Sequence, residues 1–164
     1  MNALWSYFWP VFGLSLLVGG IAGIFAWRPG ARRWTLLAAG AVPMLGAALL
    51  WHGPLGGADR LARPVDRIAR EALIHYEMPQ VQARLQRGPV TRKMLLSGPA
   101  DDFQRREIVR MMSEIPGVSA ASWSRGGGLP LIVEGAVVGL VGYLLGCLLA
   151  YAASLHRRNS QERW

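Results

Sequence analysis

Cysteine and charge are both scarce in this chain. Its 164 residues include one cysteine, Cys147, and only 17% of them are charged, against about 25% in soluble domains. A single cysteine cannot form an intrachain disulfide, and the three histidines, His52, His75 and His156, lie far apart in the sequence. The sequence therefore predicts no disulfide, no metal site, no cofactor and no catalytic residues.

Positive charge is also missing where a cleavable signal would need it. Residues 1–9 contain no Lys or Arg, so the basic region that opens a secretory signal peptide is absent. The apolar run that follows is longer than the core of a signal peptide. We therefore expect the N-terminal segment to be kept as a membrane span.

Long apolar runs are what the sequence does contain, at 4–27, 34–51 and 129–155. A helix that crosses ~30 Å of hydrocarbon needs about 20 apolar residues. Tryptophans stand at the ends of the first two runs, as is typical of the headgroup level. Residues 1–52 are thus predicted to form a transmembrane hairpin, followed by a linker at 53–62, a polar insert and a third span.

The arginines near the ends of the runs predict an orientation. Six of them lie in the turn 28–33 and the tail 156–164, and three lie near the opposite ends. Because cytoplasmic loops carry the excess of Lys and Arg, the turn and the basic tail are predicted to be cytoplasmic. The N-terminus and the insert 52–128 would then face the periplasm of a bacterial inner membrane. Much of the net charge of +8 therefore comes from arginines beside the membrane spans, which set the orientation of the chain. Nucleic acid is not expected as a partner.

Small residues in the third run follow steps of three and four, which places them on one helix face. Small residues let helix backbones approach closely in lipid, so this glycine stripe is a predicted helix-packing surface. It could pack on the chain's own first two helices or on a partner subunit. The glycines of the stripe are Gly135, Gly139, Gly142 and Gly146.

Glu134 is the one Asp, Glu, Lys or Arg residue within the three apolar runs. An ionisable side chain in a span is energetically costly and is by default a functional hypothesis. Three interpretations stay open: an interfacial residue, a structural ion pair, and a proton or ion site. The last has little support, because no second intramembrane charge accompanies it.

The first half of the insert has helical and then strand periodicity. Apolar residues recur at 3.6-residue spacing over 65–76 and predict an amphipathic helix with Pro64 in its first turn. The members of this stripe are Val65, Ile68, Ala69, Ala72, Leu73 and Tyr76. After Pro79 the period becomes two, which predicts strands near 81–86 and 90–97.

A second helix and a last strand complete the insert. Asp101 and Gln104 fit a capping box at the start of a helix, and residues 118–123 predict a short strand. The apolar face of that helix is formed by Phe103, Ile108, Met111, Met112 and Ile115. The expected fold is a helical membrane protein with three transmembrane helices and a small two-layer α+β domain, in the order αββαβ, over 63–124.

Three arginines, Arg63, Arg67 and Arg70, lie on the polar face of the first insert helix. Near an anionic surface each basic residue contributes about 1 kcal/mol, so this face is a candidate lipid- or partner-binding site. The alternative is a solvated face whose charge is neutralised by Asp66 and Glu71.

The turns of the insert match those of a known family. The second strand, "GPVTRKMLLSG", and the segment "PGVSAASW" that leads into the last strand resemble the corresponding parts of a BON domain. The matching residues are Gly88, Val90, Leu96, Gly98, Pro116, Gly117 and Val118. The resemblance covers about 63–124, and it implies a non-enzymatic domain that binds phospholipid surfaces or envelope proteins.

Two functions follow as expectations. The first is a non-enzymatic inner-membrane protein that displays a periplasmic BON-like domain to bind membrane lipids or an envelope protein. The second is an accessory or assembly subunit of a larger membrane complex, held in it by the glycine stripe.

Overall fold

The computed structural model describes residues 3–28 and 30–161. Pro29 of the predicted turn, residues 1–2 and residues 162–164 of the predicted tail lie outside the described residues. Five helices and three strands occur in the described part: α1 (Ala3–Ala26), α2 (Arg33–His52), α3 (Gly57–His75), β1 (Gln82–Arg87), β2 (Val90–Ser97), α4 (Asp102–Ser113), β3 (Ala120–Ser122) and α5 (Leu131–Gln161).

The chain divides into two compact units. The sheet unit contains the residues up to Tyr7 together with Gly56–Glu134, and the helical unit contains Phe8–Leu55 together with the residues from Gly135 onward. Both α1 and α5 contribute their first residues to the sheet unit and the rest to the helical unit. Each unit is described separately below.

Among the described residues, three helical segments are long and apolar enough to cross a membrane: Leu4–Ala26, Arg33–His75 and Leu131–Ser160. The apolar part of the second is α2, because α3 is rich in charged residues. α5 continues to Gln161, so the described part of the predicted tail, 156–161, is helical. This segment contains no proline or glycine, the residues that most disfavour helix.

The sheet unit has the predicted order of elements, α3-β1-β2-α4-β3. β2 is the central strand, paired antiparallel with β1 and parallel with β3. The predicted capping box opens α4, with Gln104 N donating to Asp101 Oδ1 at 2.7 Å and Asp101 N donating to Gln104 Oε1 at 3.1 Å. These bonds satisfy amide groups that have no partner within the helix.

One hydrophobic cluster lies between the sheet and the helices α3 and α4. Its buried side chains include Val65, Ala69, Leu73, Leu85, Met94, Leu96, Ile108 and Met112. Three predicted core residues are instead exposed: Ile68, Tyr76 and Phe103, the last at 67% of its surface. The buried stripe of α3 is narrower than predicted, and Ile68 lies outside it. Tyr76 follows the last residue of α3 and Phe103 lies in the first turn of α4.

α3 begins at Gly57, inside the segment 53–62 that was interpreted as a linker. Leu61 and Ala62 are fully buried and continue the apolar stripe toward the N-terminus. Pro64 consequently lies inside the helix and not in its first turn.

Candidate functional site

The outward face of α3 carries four arginines at positions 60, 63, 67 and 70, called here the arginine face. All four are exposed, and their steps of three, four and three residues place them on one side of the helix. The sequence interpretation included Arg63, Arg67 and Arg70 but missed Arg60. The same spacing continued by one step would have found it.

Two of these arginines form ion pairs along the helix. Arg63 lies 3.5 Å from Asp59 and Arg67 lies 3.9 Å from Glu71, with the arginine side chains 78% and 75% exposed. Ion pairs this exposed contribute about 0–1 kcal/mol. The arginine face therefore remains able to exchange these pairs for an anionic ligand.

Asp66, expected to neutralise the arginine face, is bound on another side of α3. Its Oδ1 accepts the backbone N–H of Leu85 at 2.8 Å, and its Oδ2 accepts a hydrogen bond from Arg87 at 3.0 Å. Arg87 also bonds Asp59 at 2.6 Å. Burial alone would lower the pKa of the Arg87 guanidinium, but its bonds to Asp66 and Asp59 raise that pKa above its ordinary value.

This network withdraws negative charge from the arginine face. Asp66 is committed to β1, and Asp59 is shared between Arg63 and Arg87. Of the two acids expected to neutralise the face, only Glu71 pairs with one of its members. Asp59 and Glu71 thus each pair with one arginine of the face, while Asp66 is bound elsewhere.

A cleft of about 400 Å³ lies at the C-terminal end of the arginine face, between α3 and β1. Arg70 and Arg84 line it together with apolar side chains that include Ile74 and Pro79. A basic cleft with an apolar wall suits a ligand that has both an anionic group and hydrocarbon, which is the chemistry of a phospholipid.

Glu134 forms an ion pair with Arg92 of β2. The guanidinium Nε of Arg92 lies 2.8 Å from Oε2 and 3.1 Å from Oε1 of Glu134. The two side chains are only 25% and 20% exposed. Because α5 begins at Leu131, Glu134 lies in its first turn, where the helix dipole favours a negative charge. Of the three interpretations of Glu134, these contacts fit the structural ion pair.

The glycine stripe of α5 lies against the chain's own helices. A Cβ at Gly142 would lie 2.7 Å from the carbonyl oxygen of Phe12 in α1, and one at Gly146 would lie 2.6 Å from the amide of Gly20. A Cβ at Gly139 would meet side-chain atoms of Met44 and Ser15 at 3.2 Å. Gly135 is also buried. At Gly139, Gly142 and Gly146 the stripe is therefore packed against the chain's own α1 and α2.

The described part of the chain offers no candidate metal site. No group of three or more His, Cys, Asp or Glu residues there could hold a metal ion. Cys147 is half-buried, and its sulfur lies 3.3 Å from the carbonyl oxygen of Gly19. It is a packing residue of the α1–α5 contact.

Comparison of the chain with protein-family models, with curated proteins and with solved structures gives no match.

Proposed function

We propose that this protein is a non-enzymatic, multi-pass inner-membrane protein whose BON-like domain is displayed in the periplasm and binds an anionic phospholipid surface. The arginine face of α3 carries this proposal. Four exposed arginines share one side of a helix, and Asp66, which could have neutralised them, is bound to Leu85 and Arg87.

The connection between α2 and α3 supports a lipid surface as the ligand. Only residues 53–56 separate the second apolar helix from α3. A chain that crosses the bilayer with α2 therefore keeps the first residues of α3 close to the membrane by its connectivity. Three or four arginines at ~1 kcal/mol each would together contribute a few kcal/mol to the binding of anionic headgroups.

The backbone at two glycines supports the BON-like interpretation. Gly98 and Gly117, both part of the resemblance, have φ angles of 121° and 109°. A Cβ at Gly98 would also lie 2.5 Å from the carbonyl oxygen of Gln80. Gly98 and Gly117 are therefore needed by this backbone, and the order αββαβ agrees with the resemblance.

The alternative function, an accessory subunit of a larger complex, depended on the glycine stripe. The chain's own α1 and α2 occupy that stripe at Gly139, Gly142 and Gly146. No contact in the described structure now favours the alternative over the lipid-binding function.

Vesicle capture by the full chain tests the proposal. The protein is placed in nanodiscs of neutral phosphatidylcholine, so that the domain has no anionic surface in its own bilayer, and is offered vesicles of phosphatidylglycerol or phosphatidylcholine. We expect capture of the phosphatidylglycerol vesicles only, weakened by salt because exposed charges are screened.

A charge-matched pair of variants makes the test specific. Arg63→Gln/Arg67→Gln/Arg70→Gln should weaken capture about a hundredfold, from ~1 kcal/mol for each arginine. Arg105→Gln/Arg106→Gln/Arg110→Gln removes the same charge from α4 and should retain capture within a few fold. Equal losses of vesicle capture in the two variants would show that net charge, and not the arginine face, determines binding. Absence of capture by the unaltered protein would favour an envelope protein as the ligand.

A further inference from the structure

A groove of about 730 Å³ runs between α1 and α5 within the helical unit. Most of its length is lined by aliphatic side chains and glycine, including Leu17, Ile21 and Leu149. Arg28, Arg157 and Arg158 line its other end. The groove therefore has an apolar body and a strongly basic mouth.

The length of the groove corresponds to one leaflet of a bilayer. It extends from Leu16 on α1 to Arg28 just after that helix, and from Gly146 to Arg158 on α5. At 1.5 Å per residue, each distance is about 18 Å. Half of a ~30 Å hydrocarbon core is ~15 Å. In a membrane-spanning bundle the apolar body would lie beside the acyl chains, and the arginines would lie at the headgroups.

The basic mouth has no acidic neighbour among the described residues of the helical unit. Residues 8–28, 30–55 and 135–161 contain no Asp or Glu, and Glu162 lies outside the described residues. Arg158 donates to the carbonyl oxygen of Trp27 at 3.4 Å, and the Trp27 ring lies 4.7 Å from that of Tyr151. An aromatic pair beside clustered arginines is typical of a membrane interface.

We propose that this groove binds one anionic phospholipid, with an acyl chain along the aliphatic body and the phosphate at Arg28, Arg157 and Arg158. Charge complementarity selects the ligand, because a neutral lipid would leave three clustered cations without an anionic partner among the described residues of this unit. Basic pockets between transmembrane helices on the cytoplasmic side bind anionic headgroups for this reason. The inference rests on the membrane insertion proposed above, and it is independent of lipid binding by the arginine face.

The site is tested by titrating the delipidated full chain with phospholipid in mild detergent and measuring the bound lipid by native mass spectrometry. We expect one phosphatidylglycerol to bind with higher affinity than phosphatidylcholine. Arg28→Gln/Arg157→Gln/Arg158→Gln should lower the phosphatidylglycerol affinity about a hundredfold, at about fivefold for each arginine. Arg63→Gln/Arg67→Gln/Arg70→Gln should leave it unchanged.

A pair of glycine variants tests the apolar body. Gly20 lines the groove, and a Cβ there would meet no atom within 4 Å, so the side chain of Gly20→Leu should enter the groove. Gly13 is equally open and lies on the same helix outside the groove, so Gly13→Leu is the matched control. We expect at least a tenfold loss of affinity for the first variant and none for the second.

The outcomes separate this site from the membrane proposal. Equal affinity for the two lipids, or equal behaviour of Gly20→Leu and Gly13→Leu, would overturn the groove alone. Release of the protein from cell membranes by alkaline carbonate would overturn membrane insertion, and the groove site with it.

Discussion

Replacing Gly142 by alanine should separate α1 from α5. The added Cβ would lie 2.7 Å from the carbonyl oxygen of Phe12 and 3.2 Å from Cδ2 of its ring. Ordinary van der Waals contact begins at 3.4 Å, so the oxygen contact is about 0.7 Å too short. The oxygen belongs to the backbone of α1 and cannot rotate away, so the helices themselves must move.

The cost follows from that displacement. A gap of 0.5–1 Å forfeits a quarter to a half of each dispersion contact, and inserting a methyl group into a packed interior typically costs about 1–3 kcal/mol. The higher helix propensity of alanine returns up to ~1 kcal/mol. We therefore expect Gly142→Ala to destabilise the helical unit by about 1–2 kcal/mol.

Alanine substitutions at two further glycines should have smaller effects on stability. Gly139→Ala would meet only side-chain atoms, the nearest at 3.2 Å, so its cost should be below about 1 kcal/mol. Gly13→Ala would meet nothing within 4 Å and should be neutral or stabilising. The assay is equilibrium unfolding in detergent, with tryptophan fluorescence as the measured signal. If all three variants unfold alike, the close α1–α5 contact is not what holds the bundle together.

Three substitutions test the sheet unit, each by its thermal melting. Glu134→Gln removes the anionic partner of the half-buried Arg92 and should cost about 1–3 kcal/mol, whereas Glu107→Gln, which breaks an exposed pair, should cost less than about 1 kcal/mol; equal effects would contradict a stabilising role for the first pair. Gly98→Ala forces a Cβ onto a residue with φ of 121° and should cost about 1–3 kcal/mol; an unchanged melting temperature would refute this strain. Asp101→Ala removes the cap of α4 and should cost about 1 kcal/mol; no change would mean that solvent replaces the capping bonds without loss.

Local patterns were sufficient to predict the elements of the insert. The periodicity of α3, the alternation in β1 and the Asp101–Gln104 pair are all signals within one element, and the order αββαβ followed from them. Exposed side chains such as Ile68 and Phe103 were misjudged for a related reason. Periodicity identifies an apolar face but not how much of it the sheet covers.

The partners of charged residues could not be predicted in the same way. Arg92 and Glu134 are separated by 42 residues, and their contact depends on the placement of β2 beside the start of α5. Asp66 was expected to face its helical neighbours, but the amide of Leu85 at the sheet edge binds it instead. Such contacts depend on tertiary packing. The sequence alone therefore does not show that Asp66 is bound away from the arginine face.

The central claim is that the chain spans the membrane and displays the sheet unit on the side opposite to its C-terminal end. Single cysteines at the exposed positions Ser97 and Asn159, each in a Cys147→Ser background, test it with a membrane-impermeant maleimide on intact spheroplasts. The proposal predicts labelling of Ser97→Cys before lysis and of Asn159→Cys only after lysis. Labelling of both before lysis, or the reverse order, would contradict it.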